Sequence, residues 1–355
     1  MIWFGLVFIG VAYDWATTFW LRRWFVSPEV SGLTNPVTFF RPLKTGVPQI
    51  GLKLRSFFAA LEPDDQALIG IYEDDFPTQN DARAAVGEFP QFNLQIVLCR
   101  RDVARNPKIN KLLQIVPFAR HEHWIVLDSE IENAAEFLPA FRIDWNSAQF
   151  PVLSAPYRFR ELTFPTAPVL HTLLPGLAVL QRFGKIQNTL GAAVAVTRAQ
   201  IEQIGGWLSL GNELAEDYEI GRRLAQLGVP VGFSRAVAAL DNDPAFFGST
   251  FRQLHRVSAT YRHYQPWGFA GSIVLHSVTW SLLAALFHPL GWIALLLSSI
   301  SRVIICQNRA RLLAWPVSFW KSAFLIPISS ILETSFWLLA WLPLPVVWGN
   351  RRWYF

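Results

Sequence analysis

Apolar residues fill almost every position of IWFGLVFIGVAYDWATTFWL (2–21), roughly the twenty residues a helix needs to cross a bilayer. Arg22 and Arg23 come immediately after it. The run has no basic start and no small-residue cleavage site, so it reads as an uncleaved anchor over residues 1–24. The arginine pair places the next segment of the chain on the cytosolic side. Asp14 is costly inside such a span and needs a partner helix or a wet pocket.

From 36 to 245 the pattern changes to strands alternating with helices. VTFFRPL (37–43), ALIGIYEDD (67–75), NLQIVLC (93–99), HWIVLDSEI (123–131) and GAAVAVTR (191–198) are short apolar runs that predict buried strands. QIGLKLRSFFAALE (49–62) has helical spacing, and NPKINKLLQIVPFAR (106–120) is a turn running into a helix. Such alternation predicts a mostly parallel sheet covered by helices. RQLHRVSATYRHYQPW (252–267) is basic, aromatic and amphipathic, the pattern of an interfacial helix, here placed at 246–270. From 271 to 355 the apolar character returns. SIVLHSVTWSLLAALF (272–287), GWIALLLSSISRVIIC (291–306) and SAFLIPISSILETSFWLLAWL (322–342) are expected to be membrane segments, the last containing Pro327 and Glu333. The expectation is an integral, multi-pass membrane protein whose soluble α/β domain faces the cytosol.

Composition supports this division. Charged residues are 16% of the chain, below the usual quarter, and Trp appears 16 times, which suits the interfacial belts of a bilayer. The net charge of +5 suits an anionic lipid surface. No long Lys/Arg run with interleaved aromatics is present, so nucleic acid is not an expected partner. Cys99 and Cys306 are far apart and read as reduced thiols.

Acidic residues cluster where the strands should end, the usual ligand side of such a sheet. EDD (73–75) supplies Asp74 and Asp75. DSE (128–130) closes a buried apolar strand that delivers Asp128 and Glu130 on one side, since alternate residues share a face. Two carboxylates so placed can hold a divalent ion that also bridges substrate phosphates. Lys108, near a helix start, can pair with a diphosphate. LAEDYEIGRRL (214–224) places Glu216 and Asp217 at a helix N-terminus, where the macrodipole favours acids. A carboxylate there can also take the proton of an attacking hydroxyl. Gln253, His255 and Arg256 could close over a diphosphate.

In this order the stretches resemble the glycosyltransferases of the family 2 type, and most closely the ceramide glucosyltransferases of family 21. The family's ordered motifs are an Asp motif, a D-x-D-like motif, an acidic pair and Q-x-x-R-W. They match EDD, DSE, AEDYEIG (215–221) and QLHRV (253–257), with Val257 where the family has Trp. FRPLKTGVPQIGLKLRSFF, NPKINKL and the final WGNRRWYF also resemble family stretches. The resemblance implies a GT-A (nucleotide-diphospho-sugar transferase) domain with N- and C-terminal transmembrane helices. It implies an inverting transfer from UDP-glucose to the hydroxyl of a membrane lipid, ceramide. Asp217 would be the catalytic base. Asp74 or Asp75 would hold the uridine, and Asp128 the diphosphate and, with Glu130, an Mg or Mn ion. Lys108, Gln253 and Arg256 would also serve the donor, with Glu216 and His255 nearby. GFAGSIVLH (268–276) and the GGW turn also resemble the hopanoid-biosynthesis glycosyltransferases, which implies N-acetylglucosamine transfer to a hopanoid lipid as an alternative. A non-catalytic membrane scaffold of the same fold is a further alternative. Residues 157–187, with the amphipathic run VLHTLLPGLAVLQRF, are expected to line the acceptor.

Overall fold

The computed structural model describes residues 1–25, 35–146, 150–184, 186–241, 247–348 and 351–354. Position 246, where the pattern starts the interfacial helix, lies outside them, as do Gly349, Asn350 and Phe355 of the final stretch. The chain divides into two units. One joins Pro28–Arg158 to Lys185–Asp241; the other joins Met1–Ser27, Phe159–Gly184 and Asn242–Phe355. The segment Phe159–Gly184 therefore belongs with the terminal helices, although it interrupts the α/β sequence.

The first unit is built on a seven-stranded sheet. Its strands are β1 (Val37–Pro42), β2 (Gln66–Tyr72), β3 (Asn93–Cys99), β4 (His123–Leu127), β5 (Val152–Ser154), β6 (Ala193–Thr197) and β7 (Val231–Phe233). The spatial order is β3-β2-β1-β4-β6-β5-β7. Strands β3, β2, β1 and β4 run parallel, β6 is antiparallel to both β4 and β5, and β5 is parallel to β7. Every residue of β1 and β2 is buried. Helices cover both faces of parallel strands, so unbroken apolar runs are what such strands require. The chain steps from β1 outward to β2 and β3, then returns to the other side of β1 as β4. That reversal opens a crevice at the carboxyl ends of β1 and β4, where ligands of such sheets bind.

The other unit holds the apolar helices. Ile2–Phe25, Leu290–Leu312 and Phe319–Leu339 are each long and apolar enough to cross a membrane, and Pro266–Leu275 with Ser277–Phe287 forms a further pair bent by 51°. The sequence run 272–287 is thus broken, by a 3-10 turn at Ile273–Leu275. Asp14 finds its partner on a neighbouring helix. Its carboxylate meets Arg302 Nη1 at 2.6 Å and Arg309 Nη2 at 3.1 Å. Arg309 also donates to the hydroxyls of Thr17 and Thr18 and to the Leu170 carbonyl, at 2.8 to 3.0 Å. Asp14 and both arginines are buried.

Candidate active site

Within the sheet unit three carboxylates face one ammonium. Lys108 Nζ lies 2.8 Å from Asp128 Oδ1 and 3.2 Å from Glu216 Oε1, and donates to the Gly191 carbonyl at 3.1 Å. Three separate elements deliver these groups. The first is the helix Pro107–Ile115, capped by Asn106, whose Oδ1 accepts from the Lys108 and Ile109 amides. Asn-Pro is a strong local start signal, because the Asn oxygen satisfies orphan N–H groups and proline at the first helical position has none to lose. The Asn106 amide then donates to Glu216 Oε2 at 2.8 Å and to the Glu213 carbonyl at 2.9 Å, so the cap also anchors the second element.

That element is the helix Glu216–Gln226, with Glu216 and Asp217 in its first turn. It packs hard against the chain before β6: a Cβ on Gly221 would stand 2.5 Å from the Thr189 nitrogen. A Cβ on Gly191 would stand 2.8 Å from Asp217 Oδ2. Only glycine leaves room for the carboxylate there.

The third element is the turn after β4. The strand ends at Leu127, so Asp128 and Glu130 lie in the turn, and strand alternation does not set their directions. Asp128 takes Lys108, while Glu130 takes Lys44 at 2.6 Å. The turn is pinned from below by Arg41, fully buried in β1, which donates to the carbonyls of Ser129 and Ile131.

The electrostatics arise from crowding. Burial pushes the Asp217 carboxyl up, the charge of Glu216 adds to that, and Lys108 only partly offsets it, leaving it at about 7. Burial likewise raises Asp128, Lys108 draws it back, and the Glu130 charge raises it again, to about 6. Burial works against the Lys108 charge, but Asp128, Glu216 and Asp217 outweigh it and hold the ammonium well above its usual range. A recess of about 10 Å³, the space of one water, opens between Lys108, Glu216, Asp217 and the rings and aliphatic chains of Trp207, Val126 and Leu112. A larger cavity of about 360 Å³ shares Trp207 with it.

The remaining expected residues are placed differently. Asp75 is buried and caps the helix Phe76–Gly87, accepting from the Thr78 amide. Asp74 is exposed and pairs with Arg101 at 2.8 Å, and that hydrogen bond holds its carboxyl below the usual range. Gln253, His255 and Arg256 lie on Phe247–Tyr264, a helix of the other unit. Asn106, Gly191 and Trp207 belong to the site but carry little sequence signal. The Asn-Pro-Lys start marks a helix cap, not its second bond to an acid 110 positions away.

The acids also bear on metal binding. Among the described residues no group of three or more His, Cys, Asp or Glu gathers into a cage. Asp128 and Glu130 offer two carboxylates at a crevice with surplus negative charge. That fits an ion of the magnesium type, which takes one or two protein carboxylates and completes its shell with phosphate and water.

Comparison with a solved structure agrees with this fold. The mannosyltransferase PcManGT from Pyrobaculum calidifontis, solved with GDP-Man and Mn2+, superposes with a TM-score of 0.60 at 15% identity, covering 94% of this chain and 98% of its own. Glucosyl-3-phosphoglycerate synthase from Mycobacterium tuberculosis, solved with Mn2+, UDP and glucosyl-3-phosphoglycerate, has a TM-score of 0.43 at 14% identity, covering 67% of this chain and 86% of its own. The fold is that of a GT-A glycosyltransferase, and this protein is an enzyme of that class. More narrowly, it belongs to glycosyl transferase family 21, whose model matches residues 2–354.

Proposed function

We propose that this enzyme is a multi-pass membrane glycosyltransferase, its sheet unit on the cytosolic side, that moves glucose with inversion from UDP-glucose to a hydroxyl of ceramide. The observation that carries the reading is the Asp217 carboxylate, which lines one recess with Lys108 and Glu216, where desolvation and the charge of Glu216 push its pKa up to about 7. A general base works best with a pKa near the working pH. In the proposed step the lipid oxygen attacks the anomeric carbon as its proton passes to Asp217. The bond from that carbon to the diphosphate oxygen breaks, and UDP leaves with the electron pair. Lys108 faces the charge that develops on the diphosphate. Asp128 and Glu130 would hold a divalent cation, which supplies further charge neutralisation on the leaving group. The family motif, rather than geometry, supports Asp74 or Asp75 at the uridine, and Gln253 and Arg256 at the diphosphate.

The test uses full-length protein in detergent micelles, with UDP-glucose or UDP-N-acetylglucosamine as donor and ceramide or a hopanoid as acceptor. Mass spectrometry of the lipid product decides. Glucosylceramide is the expected product, and transfer only to the hopanoid would overturn the reading.

Two further results are expected. Asp217 must be ionised to accept a proton, and its raised pKa keeps it protonated below about 7. Turnover measured against pH therefore falls about tenfold per unit below about pH 7 and levels off above it. A flat profile from pH 5 to 8 would remove Asp217 as the base. The second concerns Gly191→Ala. The new methyl group must displace the Asp217 carboxylate, and a misplacement of about 1 Å can lower a rate by about 10²-fold. Initial rates should show that loss in kcat, with donor KM little changed.

A further inference from the structure

The unit of terminal helices contains a polar cluster in apolar surroundings. Glu333 lies within the apolar helix Phe319–Leu339. Its carboxylate meets His171 Nδ1 at 2.7 Å and accepts from the Thr172 hydroxyl. His171 and Thr172 belong to a π-helical turn, Val169–Leu173, a rare geometry frequent at functional sites. His171 Nε2 meets Ser329 Oγ at 3.1 Å. Next to Glu333, Thr334 Oγ1 meets His276 Nδ1 at 2.6 Å and Thr279 Oγ1 at 2.7 Å. An acid inside an apolar helix is costly, and where it persists it is paired, as Asp14 is, or lines a polar substrate or ion path.

Proton accounting shows what the cluster lacks. Ser329 Oγ donates to the Ile326 carbonyl, so it accepts from His171. Thr334 Oγ1 lies within hydrogen-bond distance of the Ser330 carbonyl, His276 Nδ1 and Thr279 Oγ1. The Thr172 proton is engaged by Glu333, and so is the proton between Glu333 and His171, whichever of the two carries it. The open capacity at Glu333 is lone pairs. A carboxylate has about four acceptor positions, of which two are taken here. The cluster also opens outward: Thr172 is exposed, and the Glu333 side chain keeps 16% of its surface.

We propose that Glu333, with His171, Thr172, His276 and Thr279, forms a holding site within the helical unit for the polar head of the lipid acceptor before transfer, and that it selects a neutral head rich in hydroxyl or amide N–H donors. Such a head satisfies the open lone pairs. A phosphate-bearing head brings a second negative charge against Glu333 and no donors, so it is disfavoured. This assignment rests on the lipid-acceptor reading above.

The test measures binding apart from turnover. Full-length protein in nanodiscs is titrated with a fluorescent ceramide and, separately, with a fluorescent polyprenyl phosphate, and glucosyl transfer is assayed in parallel. Wild type is expected to bind ceramide more tightly than the phosphate lipid. Glu333→Gln should weaken ceramide binding about tenfold or more, the scale of a lost charged hydrogen bond, and should narrow the gap to the phosphate lipid. Thr279→Val leaves the Glu333–His171 pair in place, and should weaken ceramide binding even if Glu333→Gln fails to fold. Equal ceramide affinity in wild type and a folded variant overturns the site, as does tighter binding of the phosphate lipid by wild type. Ceramide binding that depends on Glu333 without any transfer would support the site while overturning the proposed reaction.

Discussion

Asp217→Asn lowers sugar transfer by about 10²–10⁴-fold, the usual contribution of a positioned base, and leaves donor affinity close to wild type. The amide keeps the shape of the side chain, so the packing against Gly191 survives. What it loses is the ability to take a proton. The substitution also removes one of the carboxylates that crowd the site, so Lys108 and Glu216 remain paired and the helix start is intact. The effect should therefore fall on kcat, while KM for the donor and the thermal midpoint change little. Single-turnover rates with radiolabelled donor, beside donor binding by calorimetry, separate these quantities. A variant that retains more than about a tenth of wild-type turnover would assign the base to another group.

Asp14→Leu is expected to be the most damaging single change to the helical unit. Asp14 is the carboxylate facing two buried guanidinium groups, Arg302 and Arg309. Removing one partner of a buried pair leaves uncompensated charge and costs about 3–5 kcal/mol. Here one substitution exposes two cations to each other. Arg309 keeps its bonds to Thr17, Thr18 and the Leu170 carbonyl, and these moderate the loss. Unfolding in mild detergent, followed by tryptophan fluorescence, should show the drop. Asp14→Leu combined with Arg302→Leu should recover part of it, because the second change removes one unpaired charge. An unchanged midpoint in the single variant would mean that the cluster contributes nothing to stability.

Much of the sheet is legible in the sequence because buried parallel strands must be apolar throughout. VTFFRP and QALIGIY can be read as strands from composition alone. Strand direction is not legible: AVAVT runs antiparallel to its neighbours, and nothing in five apolar residues encodes that. At DSE the alternation rule reaches one step too far, since it holds only while the strand lasts and β4 stops at Leu127. Asp75 illustrates a second ambiguity. An acid before Phe-Pro-Thr is both a plausible ligand and a good helix cap, and here it caps. The acidic pair at 216–217 can be found by position, but its tie to Asn106 depends on tertiary packing over 110 residues. VLHTLLPGLAVLQRF can be read as apolar and helical, yet its amphipathic pattern does not say which unit it joins. The buried partners of Arg309 and Glu333 settle that instead.

The order of the strands has a consequence for biosynthesis. Strands β1 to β4 lie within the first 127 residues and can pair as soon as they leave the ribosome. The outer edge of β4 then stays open until β6 is made, some seventy positions later, and β5 must wait as well, because its sheet partners among the described residues are β6 and β7. The apolar helical segment 169–183 emerges during that interval. An open strand edge beside unshielded apolar chain is a recipe for aggregation. Packing of the helical segments and completion of the sheet are therefore coupled in time, and a fragment cut at 36–245 would carry the apolar segment without the helices it belongs to.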